Sequence, residues 1–565
     1  MATPLKLKSE RVGKVTLVEE NPYLSVLVDT GVLHLDHEFD YSLPARFEIT
    51  TGDWVSVPFN GRNCLGLVTG RSNKSSVSKI SPINRGAKGP KLSAEHISLY
   101  RSVAKRWSVP IFDVLRFVTK YRDVDFQTGS PTGDGKRAYL QLPTNLNEIE
   151  ALKKVATQVA KSGPTLVIVP EARLADEFKE CGFDVGMRGS VLTPKKYVNL
   201  IVLREESEHH FEIKSPGFNS RDVALLRNEH LRENLIFVGY SPSLEMARLI
   251  ENGFIEYKKS SGKSKVIARP SLQGELIPSA LLKDFRISLS KGSVLVLAPA
   301  KGYGLAVSCA ACRNIARCKC GGKLSKSSKL TPPSCVICNQ DYTDWKCTYC
   351  HKDKLYLIGR GIERIAEDFG KSFPGARIHI ATADKLIAGE IPKQSIVIAT
   401  LGAAPMGEYS AVLFLEGISL GSDLRSEERY LSTLFRYSTF SKANVMVVER
   451  QEHPAINSLV KWNPLPYLNR TLHELAETEL PPVSRHALIK SEDAERIYGG
   501  FLAAQREGRI PARTRIHHLG DGVISVLFSI KDANEFLAFL YEFQKRRSMS
   551  GKPLLRLRID PYLLG

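Results

Sequence analysis

The sequence predicts a multidomain α/β protein. In order it should hold an N-terminal β-domain, a winged-helix-like module, two doubly wound lobes with a zinc-ribbon insert in the second, and an α+β C-terminal domain. Three observations carry this. Apolar strand-like runs alternate with amphipathic stretches between residues 137 and 250, and the same rhythm resumes at 293, the pattern of a parallel sheet flanked by helices. Eight of the ten cysteines crowd into residues 309–350. The 565-residue chain is also too long for a single core.

Short β-rich runs (YLSVLVDTGVL, EFDYSLP, DWVSVPFN, CLGLVTGR) fill residues 22–70 between Gly, Pro and Asp turns. From Ser93 the period becomes helical, with Ile97, Tyr100, Val103, Ala104 and Trp107 on one face, and Pro110 separates this helix from a second. DFQTGSPTGDGK (125–136) reads as a linker. RAYLQLP, TLVIVP, NLIVL and LIFVGY then serve as strands of one lobe, and SVLVLAPA, LYLIG, RIHIAT, SIVIAT, AVLFLE and NVMVVER as strands of the next. From about 465 the texture shifts to LPPVSRHALIK, GVISVLFSI and an amphipathic helix around Phe536, Leu540 and Phe543. The expected boundaries are 1–92, 93–128, 135–290, 291–464 with the insert at 309–352, and 465–565.

Composition is that of a folded protein, 43% hydrophobic and 25% charged, with a net charge of +19 and pI near 9.4. A surplus this size favours a polyanionic partner through counterion release. No apolar run approaches the ~20 residues that span a bilayer, and MATPLKLKSERVGKVTLVEE has no signal-peptide core. The expectation is a cytoplasmic protein without membrane attachment, whose cysteines are thiols or metal ligands.

Within 309–350 the cysteines pair as Cys309/Cys312, Cys318/Cys320, Cys335/Cys338 and Cys347/Cys350. Three pairs are C-x-x-C and Cys318/Cys320 is a shorter C-x-C. A C-x-x-C turn aims two thiolates at one tetrahedral cation, so eight ligands make two zinc sites, with a disulfide framework as the weaker alternative. Fourteen residues separate Cys320 from Cys335, close to the ~15–20 of such sites. That favours a nested pairing: Cys309, Cys312, Cys347 and Cys350 around one ion, Cys318, Cys320, Cys335 and Cys338 around the other. With only thiolate ligands the zincs should be structural. Cys64 and Cys181 are expected as core thiols.

Taken together, EFDYSLP, GYSPSLE (239–245), ELPPV (479–483), RIDP (558–561), the cysteine array in YGLAVSCAACRNIARC and the following LIGRGIERIAEDFGKSFPG resemble the PriA family, the bacterial primosomal proteins N′. The resemblance covers almost the whole chain. It implies two helicase-like (RecA-like) lobes and a DNA-binding role at abandoned replication forks, with nucleoid association. It further implies forked and single-stranded DNA, single-stranded-DNA-binding protein, other primosome components and the replicative helicase as partners. By the same resemblance FDYSLP is the segment that captures a leading-strand 3′ end, through Phe39, Asp40 and Tyr41, with Lys79 as a looser carry-over. Read from the residues alone, Phe39 and Tyr41 are strand residues facing one side, a pattern more often of core than of site.

The family's ATPase motifs are absent. Strand RAYLQLP runs into TNLNEIEAL without a Gly-rich GK[ST] loop, and Asn147 takes the place of the phosphate-binding Lys. Where the family ends a strand in Asp-Glu-Glu-His, this chain has Arg204, Glu205, Glu206 and Ser207; a guanidinium cannot ligate Mg²⁺. Where the family carries Q-x-x-G-R-x-G-R, RYSTFSKA puts Phe440 and Ala443 in the arginine positions. The expectation is a replication restart factor with two structural zincs that does not hydrolyse ATP. Its rivals are an active ATP-dependent 3′–5′ helicase with divergent motifs, and a zinc-ribbon nucleic-acid- or partner-binding protein unrelated to forks.

Overall fold

Five antiparallel strands open the chain in a computed structural model that describes residues 16–121 and 133–563, apart from 145, 179, 263, 271–274, 300–305, 313, 320–321, 329, 337, 359–360, 388, 392, 417, 419–422 and 450–452. Their order across the sheet is Glu38–Ser42, Tyr23–Val28, Arg62–Ser72, Trp54–Phe59 and Arg85–Ala87. Alternation along YLSVLV sends Leu24, Val26 and Val28 into one core with Leu43, Val55, Val57 and Val68.

Helices Ala94–Trp107 and Ile111–Val118 come next. Ser93 caps the first by accepting from the His96 amide, and Ser108 ends it in the left-handed region at φ 54°. Their apolar faces join the first lobe: Trp107 and Phe117 meet Phe218 edge-on, and Arg106 pairs with Asp222 at 2.6 Å. No strand that could form a wing occurs among the described residues 93–121. This stretch is a helical hairpin docked on the lobe, in place of the expected winged-helix-like module.

Two six-stranded parallel sheets follow, each flanked by helices. The first runs Glu256–Lys258, Arg137–Gln141, Asn234–Gly239, Asn199–Leu203, Thr165–Ile168, Asp184–Gly186. The second runs Val266–Pro270, Ser441–Glu449, Tyr409–Phe414, Val294–Ala298, Ser395–Thr400, Arg377–Ala381. The second lobe therefore starts near Val266, not at 291. Strand VIARP pairs with Val445–Glu449, and helix Ser279–Lys291 buries Leu281 and Phe285 in the second lobe's core. Its Arg269 and Pro270 disguise it as loop, and Pro is tolerated because the strand is at the edge.

LYLIG does not join this sheet either. Leu355–Ile358 pairs antiparallel with Ala306–Cys309, with Cys309 opposite Leu355, and makes the two-stranded stalk from which the cysteine-rich insert projects. The lobes themselves share one apolar cluster. Trp462, fully buried, bridges them by donating from Nε1 to Leu142 O at 3.0 Å, with its ring tilted against Phe435 and edge-on to Tyr240.

The C-terminal domain is α+β. An antiparallel sheet in the order Arg515–Gly520, Val523–Ser529, Ser484–Lys490, Arg556–Ile559 is covered by helices Ala494–Arg506 and Ala533–Met549. The last helix reaches back to the N-terminal part, where Tyr541 hydrogen-bonds Asp36. No helix among the described residues is long and apolar enough to cross a membrane.

Candidate functional site

The stalk brings the outer cysteine pairs together. The four sulfurs of Cys309, Cys312, Cys347 and Cys350 lie within 4.8 Å of one another, with Cys309 to Cys350 at 3.4 Å and Cys312 to Cys347 at 3.5 Å. A tetrahedron of thiolates ~2.3 Å from zinc has sulfur–sulfur edges of about 3.8 Å, so the donor set fits such an ion. Cys318, Cys335 and Cys338 form a second cluster, with Cys318 to Cys338 at 3.5 Å. Cys320, the expected fourth ligand there, lies outside the described residues. In two of the knuckles the residue after the second cysteine is left-handed: Asn339 at φ 59° and His351 at φ 57°. Their amides donate back to Cys335 O and Cys347 O, which turns the chain so that both thiols face one point. These clusters could hold metal ions. Cys64 and Cys181 are half-buried thiols at the margins of two apolar cores.

A different arrangement fills the carboxyl edge of the first sheet. Strands Arg137–Gln141 and Asn199–Leu203 flank Asn234–Gly239 there, so the two elements expected to hold phosphate and metal do converge. Asn147 is the N-cap of helix Glu148–Ala160, accepting from the Glu150 amide at 2.9 Å. A helix N-terminus at this place would receive a phosphate. Here it carries the carboxylate of Glu148, 1% exposed. Arg204, also buried and left-handed at φ 49°, pairs through Nε with Glu148 and donates from Nη2 to Glu171 Oε1 at 3.0 Å. The second lobe adds Arg436 from helix Ser426–Ser438, 3.5 Å from Glu148 and 3.8 Å from Glu171. Burial works to raise the Glu171 carboxyl, but the guanidiniums of Arg204, Arg436 and Arg173 outweigh it and hold it at about 2.

The residues expected to replace the family's arginines do not face this cleft. Phe440 is buried against Tyr437, and Ala443 is exposed at the start of a strand, beside the Lys442–Glu408 pair. Arg436, first residue of the same RYSTFSKA stretch, is the one that reaches in. Glu148, Glu171 and Arg436 escaped sequence reasoning. A carboxylate opening the helix where GK[ST] belongs, and another closing VPE, were the available signals.

Glu205 is fully buried and bonded, accepting from Ser243 N at 2.7 Å, Ser243 Oγ at 2.8 Å and Arg221 Nη1 at 3.3 Å. His210 is likewise a structural ring. Its Nε2 lies 2.8 Å from Leu203 O, and burial lowers it to about 4, so it stays neutral. Glu206 differs, because its Oε2 is buried without a hydrogen-bond partner. Burial, then the Glu205 charge, pushes it up to about 8 from 4.5. A carboxyl raised on folding contributes stability below its unfolded value and loses that contribution as pH climbs through its folded value. Glu206→Gln is therefore expected to melt higher than the parent at pH 9, with the gain shrinking to nothing near pH 4.5. Thermal melts at both pH values check it, and an offset independent of pH would contradict it.

In the β-domain, Phe39, Asp40 and Tyr41 lie on edge strand Glu38–Ser42. Phe39 is half-buried, its ring 4.2 Å from His37 and 5.1 Å from Phe59. The Asp40 carboxylate accepts from Ser75 Oγ. Tyr41, however, is a core residue, 4% exposed, donating to Pro58 O at 3.1 Å. Its ring supports the strand and is not presented to a base, which corrects the expected stacking pair. Lys79 is exposed on the neighbouring loop.

Residues 25–119 match the family described as the 3′DNA-binding domain (3′BD) of PriA. The match runs through both helices of the docked hairpin, beyond the expected boundary at 92. Among curated proteins, the probable replication restart protein PriA of Mycobacterium tuberculosis is 26% identical over 554 residues, covering 80% of this chain and 84% of that one. Its counterpart in Mycobacterium leprae is 26% identical over 583 residues, covering 85% and 89%. The replication restart protein PriA of Rickettsia conorii is 24% identical over 423 residues, covering 61% and 65%. The N-terminal match to the PriA 3′DNA-binding domain and the likeness along most of the chain together support reading it as a PriA-type replication restart protein.

Proposed function

We propose that the chain is a replication restart factor that recognises stalled or abandoned forks and helps assemble the primosome that reloads the replicative helicase, without hydrolysing ATP or unwinding DNA itself. One observation carries the loss of the motor: Glu148, Arg204 and Arg436 fill the place where a triphosphate and its magnesium would sit. A metal-liganding Asp, a phosphate-binding Lys and arginines on the γ-phosphate are each worth ~10³-fold or more in such enzymes, and three losses in separate elements compound. DNA binding is supported by the 3′DNA-binding domain at 25–119 and the +19 charge. In this reading the cysteine clusters hold two structural zincs on a projecting module, placed for docking partners. By family likeness those partners are single-stranded-DNA-binding protein, primosome proteins and the replicative helicase, in the cytoplasm at the nucleoid.

The test compares binding of a fork with a leading-strand 3′ end at the junction, the same fork without it, and plain duplex, each with Mg-ATP and phosphate detection. The 3′-ended fork should bind tightest, with no phosphate released on any DNA. Phe39→Ala combined with Asp40→Ala should weaken that fork by roughly ten- to a hundredfold, given ~1–3 kcal/mol for a stacked base, and leave duplex binding unchanged. Phosphate release driven by forked DNA would favour the divergent helicase. Equal affinity for all three DNAs would favour a nucleic-acid-binding protein unrelated to forks.

A further inference from the structure

Buried charges cross from one lobe to the other at two places. At the first, Glu148 at the start of its helix faces Arg204 of its own lobe and Arg436 of the second. At the second, Arg425 of the second lobe donates from Nη1 to Glu245 of the first at 3.1 Å, and Glu428 accepts from the Leu244 amide at 3.0 Å. Arg221 ties this set inward, 3.3 Å from Glu205 and 3.2 Å from Glu245. Glu148, Glu205 and Glu428 are all at most 2% exposed. The geometry repeats. In each set a carboxylate sits at the N-terminus of a first-lobe helix, Glu148–Ala160 or Leu244–Glu251, and an arginine of the second lobe comes to meet the same acid or its neighbour. Between two lobes that close on nucleotide, the anion drawing arginines across the cleft is the triphosphate. In this chain the anions are its own.

We propose that Glu148 is an internal anion standing in for nucleotide phosphate, so that Arg436, with Arg425 beside it, holds the two lobes closed on each other without any ligand. The inference rests on the reading of the cleft as inactive, and adds to it a claim about shape. Buried pairs of this kind give little net stability, but they fix geometry and are costly to break on one side. Lobes held shut would present the 3′-end domain and the zinc module at a constant separation.

Hydrogen–deuterium exchange on the full chain tests this, with parent, Glu148→Gln and Arg436→Lys each measured with and without Mg-ATP. The parent is expected to protect helices 148–160 and 426–438 equally in both conditions. Each substitution should raise exchange about tenfold or more in both helices, across the lobe boundary, while the β-sheet at 23–72 stays protected. Exchange that rises only in the substituted helix, or in neither, overturns the proposal. If Glu148→Gln unfolds, the sheet at 23–72 loses protection too, and Arg436→Lys, which keeps the charge and loses the forked geometry, decides. Protection gained by the parent on adding Mg-ATP shows a cleft open to nucleotide and also overturns closure. Phosphate release is read separately, so hydrolysis with unmoved exchange would sink the functional reading alone.

Discussion

Cys309→Ser combined with Cys347→Ser is expected to release one of two zinc equivalents and to unfold much of the insert between 306 and 358, while the lobes remain folded. The expectation follows from how little else holds the insert. Its core consists of Val307, Ala316, Leu324 and Trp345 packed among the cysteines themselves. Among its described residues the paired strands are the stalk and a two-residue ladder, Leu324–Ser325 against Ser334–Cys335. A piece of about 50 residues with so few apolar side chains cannot offset its chain entropy without metal. Structural zinc contributes about 10–16 kcal/mol in comparable small modules. The stalk residues Val307, Cys309, Leu355 and Leu357 belong to the insert's own cluster and not to the second lobe's core, so that lobe should keep most of its stability. Metal content by native mass spectrometry, protease cleavage confined to the insert, and a preserved main melting transition would check it. Two zincs retained, or none bound by the parent, would contradict it.

The cysteine array was legible because its information is local. Two thiols with two residues between them face one way whatever the rest of the chain does, and the stalk brings the outer pairs to one point. The doubly wound lobes were legible for a related reason, since NLIVL and TLVIVP are apolar on both faces and only a buried parallel strand needs that. Four-residue runs were another matter. LYLIG reads as a sheet strand, yet pairs with Ala306–Cys309 as a hairpin, and periodicity cannot separate the two over so short a span.

The nucleotide cleft was legible only as a set of absences. Asn147 and Arg204 could be seen not to be Lys and Asp. What stands at the positions of the missing motifs depends on Glu148 and Glu171 meeting an arginine of the second lobe. No window along the chain contains all three. Tyr41 shows the converse limit. Alternation placed it correctly on a strand, but whether its ring points to core or solvent was decided by the partner strands, which bury it over Pro58.

Arg204→Asp, which restores the metal-binding carboxylate of the family's strand, is expected to destabilise the chain and to recover no ATP hydrolysis. The new Asp would lie beside Glu148, 1% exposed, and Glu171, with Arg436 as the remaining cation buried with them. Removing one partner of a buried ion pair typically costs about 3–5 kcal/mol, and here a third negative charge takes its place. At about 2–4 °C per kcal/mol for a domain this size, the first-lobe melting transition should fall by roughly 6–20 °C. Magnesium could relieve the repulsion in part, so the drop should be smaller in millimolar Mg²⁺ than in EDTA. Hydrolysis should still not appear, because a bound magnesium would find no triphosphate to bridge. The turn into helix Glu148–Ala160 has no Gly-rich cradle and no Lys, and Asn147 already takes one of its free amides. Melting curves in both buffers and a phosphate-release assay with forked DNA measure the two parts of this result. A variant that released phosphate would mean that a single substitution separates this chain from a motor, and the cleft would then be a nucleotide site blocked by one arginine.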